Sequence, residues 1–193
     1  MMRRAIVAVA ALAVVVAAGV AWVDHTQPGW WVRLRYPLYS RQNIVVYGHR
    51  YHLDPALIAA VVYEESRFKA NTRSSAGAIG LMQLLPSTAR GIAEHTGGTT
   101  FNPTRDLYDA DLNLRYGSWY LAHLRQRYAG RPDAGDLALA AYNAGEANVD
   151  GWVAATPAGQ PVRIRFADTR AYVSDVEHLK DLYRRAYGSE LEG

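Results

Sequence analysis

The sequence predicts an all-α domain that follows one apolar segment near the N-terminus. Aspartates suited to capping helices precede segments whose apolar residues recur at helical spacing. Turn signals rich in glycine, proline and asparagine separate these segments. An uninterrupted apolar run of nineteen residues near the start is long enough to cross a bilayer.

Composition narrows the possible functions. With 193 residues, half of them hydrophobic, the chain can form one domain with a real core. Its net charge of +3 suits an anionic polymer such as a cell wall but is too small to argue for nucleic acid. The lack of cysteine in the sequence excludes a disulfide framework, a thiolate metal site and a lipid-bearing cysteine anchor.

Residues 1–23 are expected to lie outside the folded domain. Arg3 and Arg4 precede the apolar run Ala5 to Val23, which exceeds the roughly 7–15 residues of a cleaved signal's core. An uncleaved membrane anchor is therefore favoured, although Gly19-Val20-Ala21 would permit cleavage and secretion. Arginines also follow on the far side, so the positive-inside rule does not orient the segment.

Residues 24–38 are predicted to form a juxtamembrane linker. Their tryptophans, tyrosine and arginines are a mixture typical of the lipid–water interface, and a packed N-terminal arm is the alternative. A first helix is predicted from about Tyr39 to His52. His49 and His52 could share a face of this helix, but no further ligand-type cluster accompanies them, so we expect no metal.

The next predicted helix, Asp54 to Phe68, presents a candidate catalytic acid, Glu65. Asp54 suits the N-cap and Pro55 the first helical position. At about 100° per residue, Glu65 falls roughly 20° from the centre of the apolar face, and Glu64 about 80° away. That face consists of Leu57, Ile58, Val61, Val62 and Phe68.

The setting of Glu65 disfavours its ionised form, because both burial and the carbonyl groups at a helix C-terminus oppose negative charge. A carboxylic acid that stays protonated near neutral pH can act as a general acid. The alternative is a solvated Glu-Glu pair at a fraying helix end.

A loop of small residues follows, from Ser74 to Gly80. Gly77 and Gly80 predict positive φ or close backbone approach, as in a loop that folds back over a cleft. In the apolar run Leu81–Leu85, the lone amide of Gln83 must find a hydrogen-bond partner. That partner is either backbone or a polar ligand such as a sugar.

The rest of the chain is predicted to be mostly helical. The expected helices are Ser87–His95 closed by Gly97-Gly98, a long helix capped by Asp109 that runs to about Tyr128, Leu137–Ala144 capped by Asp136, and Thr169 to about Tyr187 capped by Asp168. The aromatic stripe on the long helix, which includes Trp119 and His123, is expected to be core. Residues 188–193 are expected to be a C-terminal tail.

Several segments resemble the motifs of one enzyme family. Glu65-Ser66, Ser74 and the run from Gly77 to Pro86 resemble the first motif of the soluble lytic transglycosylases, which cleave peptidoglycan and have a fold similar to goose-type lysozyme. The second and third motifs are matched by the Asn-Pro turn with Gly117 and Tyr120-Leu121, and by Ala140–Gly145.

The resemblance implies an all-α, lysozyme-like (SLT-type) catalytic domain over residues 39–187, with Glu65 as the catalytic residue. It implies no cofactor, and its substrate-binding residues are Ser74, Gln83, Tyr142, Asn143 and Asp168. In the family, the tyrosine that matches Tyr142 lies over the acid. Asp168 replaces a family glutamate, and Leu85 stands where many relatives carry methionine. The shorter Asp168 would reach a sugar only through water, or serve purely as a helix cap.

The implied reaction is cleavage of the N-acetylmuramic acid–N-acetylglucosamine bond of peptidoglycan, with a 1,6-anhydromuramoyl product and one Glu acting as acid and then base. A lysozyme-type hydrolase and a non-catalytic wall-binding protein remain open. The expected partners are peptidoglycan glycan strands and, through the N-terminal helix, the membrane, but not nucleic acid. The catalytic domain is expected on the outer, cell-wall side.

Overall fold

A computed structural model describes residues 2–96 and 101–192, and these residues confirm the all-α prediction. They form helices α1 Met2–Thr26, α2 Gly29–Arg35, α3 Arg41–Tyr51, α4 Pro55–Ser66, α5 Pro86–Thr96, α6 Pro103–Asp106, α7 Ala110–Arg127, α8 Ala134–Ala144, α9 Glu146–Ala154 and α10 Ala167–Leu191. Within these ranges β pairing is limited to isolated bridges in the loop between α4 and α5. Gly97-Gly98, expected to close α5, lies outside the described residues.

The chain divides into two compact units, one up to Pro37 and one from Leu38 onward. The first unit contains α1, whose Val9–Thr26 part is long and apolar enough to cross a membrane. It also contains α2, a helix of seven residues within the predicted juxtamembrane linker. Pro28 precedes α2 in an extended conformation and so starts a helix that composition alone did not indicate.

Helix α4 lies at the centre of the second unit. It packs mainly against α10 and also against α3, while α7 packs against α3 and α8. Every residue from Ala56 to Tyr63 is at most 6% exposed, so α4 is buried on all sides and not along one apolar face as we expected. A helix that is hydrophobic all round is typical of a core element. Glu65 therefore follows a fully buried segment.

Two of the four predicted aspartate caps are confirmed. Asp54 accepts a hydrogen bond from Ala56 N at 2.8 Å, and Asp109 accepts one from Leu112 N at 2.8 Å. The predictions for Asp136 and Asp168 are wrong, because α8 and α10 each begin one turn or less before them. Both carboxylates lie in the first helical turn, where the helix dipole favours negative charge.

Two helix boundaries also differ from the sequence prediction. The short helix α9 begins directly after Gly145, in a segment for which no helix was predicted. Helix α10 continues past Tyr187 to Leu191, which is only 3% exposed. Burial of the Leu191 side chain accounts for the longer helix, since tertiary packing holds a helix end that would otherwise fray. Residues 188–191 are therefore part of α10 and not of a tail.

Candidate active site

Glu65 lies in the last turn of α4, and the next residue fixes the end of that helix. The buried Ser66 hydroxyl donates to the Leu81 carbonyl oxygen at 2.8 Å, which joins α4 to the loop before α5. Arg67 then adopts a left-handed conformation, with φ of 51°, and ends the helix. Helix α4 thus ends just after Glu65 and is held there by a hydrogen bond across fifteen residues.

Burial raises the pKa of Glu65 from its usual value of 4.5 to about 7. This pKa already includes a lowering by the Tyr172 hydroxyl, which favours the ionised form, and a smaller rise from the negative charge of the adjacent Glu64. The carboxyl group is therefore close to half-protonated at neutral pH. Such a group can give up a proton and take one back within the same reaction.

Two tyrosines from different helices surround Glu65. The Tyr142 hydroxyl at the end of α8 donates to the Met82 carbonyl oxygen at 2.8 Å. The buried Tyr172 hydroxyl of α10 acts on Glu65 but has no direct hydrogen bond in the described part of the chain. Burial, followed by the charge of Glu65, raises the pKa of each phenol well above its usual range, so both hydroxyls stay protonated.

Sequence reasoning missed Tyr172. It lies within the segment whose resemblance to the family drew attention to Asp168, but it was not assigned a role. The spacing of four residues between Asp168 and Tyr172 places both on one side of α10, and this was the available signal. A buried hydroxyl without a direct partner is uncommon in a folded protein, and the carboxyl group whose pKa this one lowers is that of Glu65.

The loop from Thr72 to Leu84 forms one wall of the site. Ile79 and Leu84 exchange backbone hydrogen bonds at 2.9 and 3.1 Å, and Gly80 N donates to Thr72 O at 3.0 Å. Gly77 and Gly80 have φ of +87° and +85°, as predicted. A Cβ at Gly80 would lie 2.1 Å from the side-chain nitrogen of Asn113, so this position also requires close approach.

Asn113 of α7 holds this loop in place. Its Oδ1 accepts from Met82 N at 2.8 Å, and its Nδ2 donates to the carbonyl oxygens of Ile79 and Leu107, both at 2.9 Å. The residue is fully buried. Sequence reasoning missed it, because charged residues two positions away on either side gave no sign that this amide is buried.

The predicted binding residues Gln83 and Ser74 both stabilise the loop. Gln83 Nε2 donates to the Gly80 carbonyl oxygen at 2.8 Å and to that of Thr72 at 3.3 Å. Ser74 Oγ accepts from Ala78 N at 3.0 Å. Of the two partners considered for Gln83, the backbone is therefore present, and the amide oxygen stays available for a ligand.

The structure brings three of the five predicted binding residues together. Gln83, Tyr142 and Asn143 line one cavity of about 200 Å³. Asn143 Oδ1 also accepts from the buried Thr169 hydroxyl at 2.8 Å, which joins the end of α8 to the start of α10. Ser74 and Asp168 do not line this cavity, and Asp168 is exposed.

Comparison with known proteins finds relatives that are named lytic murein transglycosylases. The chain is 27% identical over 179 residues to the soluble lytic murein transglycosylase of Salmonella typhimurium, which covers 90% of this chain and 26% of that protein. It is 33% identical over 86 residues to membrane-bound lytic murein transglycosylase E of Buchnera aphidicola, covering 44% of this chain and 39% of that protein. The chain spans about a quarter of the length of the soluble relatives.

The fold is similar to a solved structure from the same group of proteins. An inactive mutant of the lytic transglycosylase Slt from Pseudomonas aeruginosa superposes with a TM-score of 0.71 and 29% identity, covering 86% of this chain and 27% of that chain. The family model "Transglycosylase SLT domain" matches residues 42–162, which include α4, the loop and α8. Because that match covers more than half of the sequence, this chain belongs to the transglycosylase SLT domain family.

Proposed function

We propose that this chain is a peptidoglycan lytic transglycosylase in which Glu65 cleaves the bond between N-acetylmuramic acid and N-acetylglucosamine. The observation that carries the proposal is the position of Glu65 at the end of a buried helix beside Tyr142 and Tyr172, where burial raises its pKa to about 7. A catalytic acid works best when its pKa is near the operating pH, since it must be protonated first and accept a proton later.

The reaction uses Glu65 twice. Its carboxyl group protonates the glycosidic oxygen as the bond to the anomeric carbon breaks, and the acetamido oxygen of the muramic acid stabilises the developing positive charge. The C6 hydroxyl of the same sugar then attacks the anomeric carbon, and its proton passes to the Glu65 carboxylate. The products are a 1,6-anhydro sugar and a free hydroxyl on the leaving sugar, without consumption of water. Intramolecular attack competes with water because of its high effective molarity.

The charges around Glu65 favour this mechanism over that of a two-acid glycosidase. Ordinary glycosidases place a second carboxylate across the bond, about 5–10 Å from the acid. The carboxylate that acts on Glu65 is its chain neighbour Glu64, whose own charged neighbours are Asp175 and Arg67. A carboxylate at an adjacent position of one helix cannot face the first across a sugar ring, which leaves the second role to the substrate.

We assign the sugar-binding roles according to position. Gln83, Tyr142 and Asn143 share a cavity and would contact the glycan directly. Tyr172 would donate its free hydroxyl to Glu65 once that group is ionised. Ser74 acts through the loop that it stabilises. The exposed Asp168 would contact the sugar through water.

The test is product analysis on purified sacculi. The wild-type chain should release muropeptides that carry 1,6-anhydro ends, and Glu65→Gln should release none while still binding sacculi. Glu64→Gln is the matched control and should retain activity. Digestion in H₂¹⁸O separates the mechanisms, because a hydrolase would place the label at the new reducing ends. Labelled reducing ends, or equal activity of the Glu65→Gln variant, would exclude the proposed reaction.

We further propose that α1 anchors the chain in a membrane with the catalytic unit on the cell-wall side. The length and apolar composition of Val9–Thr26 support this, and three relatives carry the words "membrane-bound" in their names. Carbonate extraction of membranes and the mass of the mature N-terminus would test it. A soluble product that begins near residue 22 would show instead that the segment is cleaved.

A further inference from the structure

The candidate cleft does not end at the cavity beside Tyr142. A second cavity of about 260 Å³ lies between α5 and α7, and Thr88 and Tyr120 line both cavities. The rings of Tyr120 and Tyr142 are 5.5 Å apart between centroids. The two cavities therefore form one continuous groove that begins beside Tyr142 and continues along α5.

The second cavity carries an aromatic surface. Trp119 and His123, one turn apart on α7, have parallel rings with an interplanar angle of 7° and centroids 5.2 Å apart. His95 of α5 lies 6.0 Å from the Trp119 ring. The sequence predicted that the stripe containing Trp119 and His123 is core, but Trp119 is only partly buried and His123 is exposed. We call these three residues the aromatic platform.

We propose that the aromatic platform is a binding subsite for a sugar ring of the glycan strand, beyond the sugars that contact Glu65. This inference rests on the proposed function. Flat aromatic rings pack against the apolar face of a pyranose, and the groove supplies polar groups for its hydroxyls. These groups are Ser87, Thr88 and the Glu146 carboxylate, which accepts from Tyr120 at 3.1 Å. An apolar surface with a few placed polar groups is typical of ligand pockets.

The continuity of the groove identifies the occupant as glycan. A linear polymer of β-linked sugars that lies against Tyr142 and Gln83 must leave the first cavity, and the exit past Thr88 and Tyr120 leads onto the platform. Peptide stems branch from the strand and do not follow its axis. The subsite should therefore be occupied only by oligosaccharides long enough to extend from the first cavity into the second.

The test measures binding without turnover, in the full chain carrying Glu65→Gln. The probes are a trimer and a hexamer of β-1,4-linked N-acetylglucosamine without peptide. Their affinities are measured by titration calorimetry. Trp119→Ala should weaken hexamer binding by about threefold to tenfold, the range that one aromatic contact provides, and leave trimer binding unchanged. Trp119→Phe should give an intermediate loss.

A second variant reaches the same site without removing a packed side chain. Gly91 lines the second cavity on α5, and a Cβ added there meets no atom within 4 Å. Gly91→Leu should therefore fold, with helix propensity in its favour, and should fill the cavity and weaken hexamer binding alone. Trp152→Phe makes the same change as Trp119→Phe at a tryptophan outside the groove and should alter neither affinity.

Several outcomes would overturn the subsite. They are unchanged hexamer affinity in both Trp119→Ala and Gly91→Leu, equal losses for trimer and hexamer, lack of hexamer binding in the Glu65→Gln parent, or an effect seen only with peptide-bearing muropeptides. None of these bears on the release of anhydro products from sacculi. Failure of the subsite and failure of the proposed reaction are therefore distinguishable.

Discussion

The two walls around Glu65 are built in different ways. In the loop wall, Thr72–Leu84, the amide groups of Asn113 and Gln83 donate to backbone carbonyls, so their bonds hold the loop. The helical wall, from the end of α8 and the start of α10, presents tyrosine rings and a buried hydroxyl that has no direct partner in the described residues. Among the described residues, α8 and α10 are joined in this wall by the hydrogen bond that Thr169 donates to Asn143.

We infer from this difference that the loop wall positions the end of α4 and that the helical wall takes part in the chemistry. A wall whose amide donors are bonded internally is stable and fixes where α4 ends, and those donors are no longer available to a substrate, although the Gln83 amide oxygen is. A buried hydroxyl without a partner lowers stability and remains free to respond when Glu65 changes charge. The comparison therefore predicts that substitutions in the loop wall mainly reduce stability, and that those in the helical wall mainly change activity.

The largest effect is expected from Asn113→Ala. It leaves Met82 N and the carbonyl oxygens of Ile79 and Leu107 without their partner, and each buried group costs roughly 1–3 kcal/mol. We expect the free energy of unfolding to fall by about 3–6 kcal/mol, measured by urea denaturation. Asn148→Ala removes an exposed asparagine hydrogen bond and should cost less than about 1 kcal/mol. Similar losses in both variants would contradict the assignment of the loop wall as the stable one.

Glu65→Gln should stabilise the protein at neutral and alkaline pH. Because burial raises the pKa from 4.5 to about 7, the folded state holds this proton more tightly than the unfolded state. Stability is therefore complete below about pH 4.5, falls as pH rises toward 7, and is then lower by roughly 3 kcal/mol. The substitution removes this loss, so its gain in melting temperature should be present at pH 8 and absent at pH 4.

Glu64→Gln serves as the control for this experiment. Burial and Asp175 also raise the pKa of Glu64, but Arg67 opposes them, so its stabilising effect at pH 8 should be smaller. If Glu65→Gln gives the same change in melting temperature at both pH values, the carboxyl group is not held in an environment that disfavours its charge.

Much of the fold and the position of Glu65 at a helix end could be predicted from local patterns. Asp54 followed by Pro55 marks a helix start, and the apolar spacing up to Glu65 places that residue in line with buried positions. These signals depend on residues that are close in the sequence, so they can be recognised without knowing which distant segments the helix packs against. The positive φ of Gly77 and Gly80 could be predicted equally well, because tolerance of positive φ is a property of glycine itself.

What could not be predicted depends on contacts between distant segments. Asn113 is bonded to residues more than thirty positions away in Ile79 and Met82, and Tyr172 meets Glu65 across more than one hundred positions. The periodicity of α7 shows which residues share a face, but not that Trp119 and His123 would face a groove and not the core. The bounds of α10 likewise follow from burial of Leu191, which no local pattern indicates.

Tyr172→Phe tests whether the helical wall contributes chemistry. The hydroxyl lowers the pKa of Glu65, so its removal should raise that pKa above about 7 and move the alkaline limb of activity to higher pH. The maximal rate should fall by roughly fivefold to tenfold, as expected when a hydrogen bond to a charged group is lost. The measurement is clearance of sacculi from pH 5 to 9. Tyr128→Phe, whose hydroxyl donates to Asp150, should leave the profile unchanged, whereas a limb that stays in place for Tyr172→Phe would assign that residue to packing.

The smallest effect concerns the tie between α8 and α10. Asn143→Ala and Thr169→Val each break the same hydrogen bond, and each should cost about 1 kcal/mol in unfolding free energy. The two substitutions differ in whether the substrate can contact the changed residue, since Asn143 lines the cavity beside Gln83 and Thr169 is buried. If Asn143 binds sugar, trimer affinity in the Glu65→Gln background should fall for Asn143→Ala and hold for Thr169→Val. Equal affinities in the two variants would make Asn143 a structural residue, and the helical wall would then contribute to binding through its tyrosines.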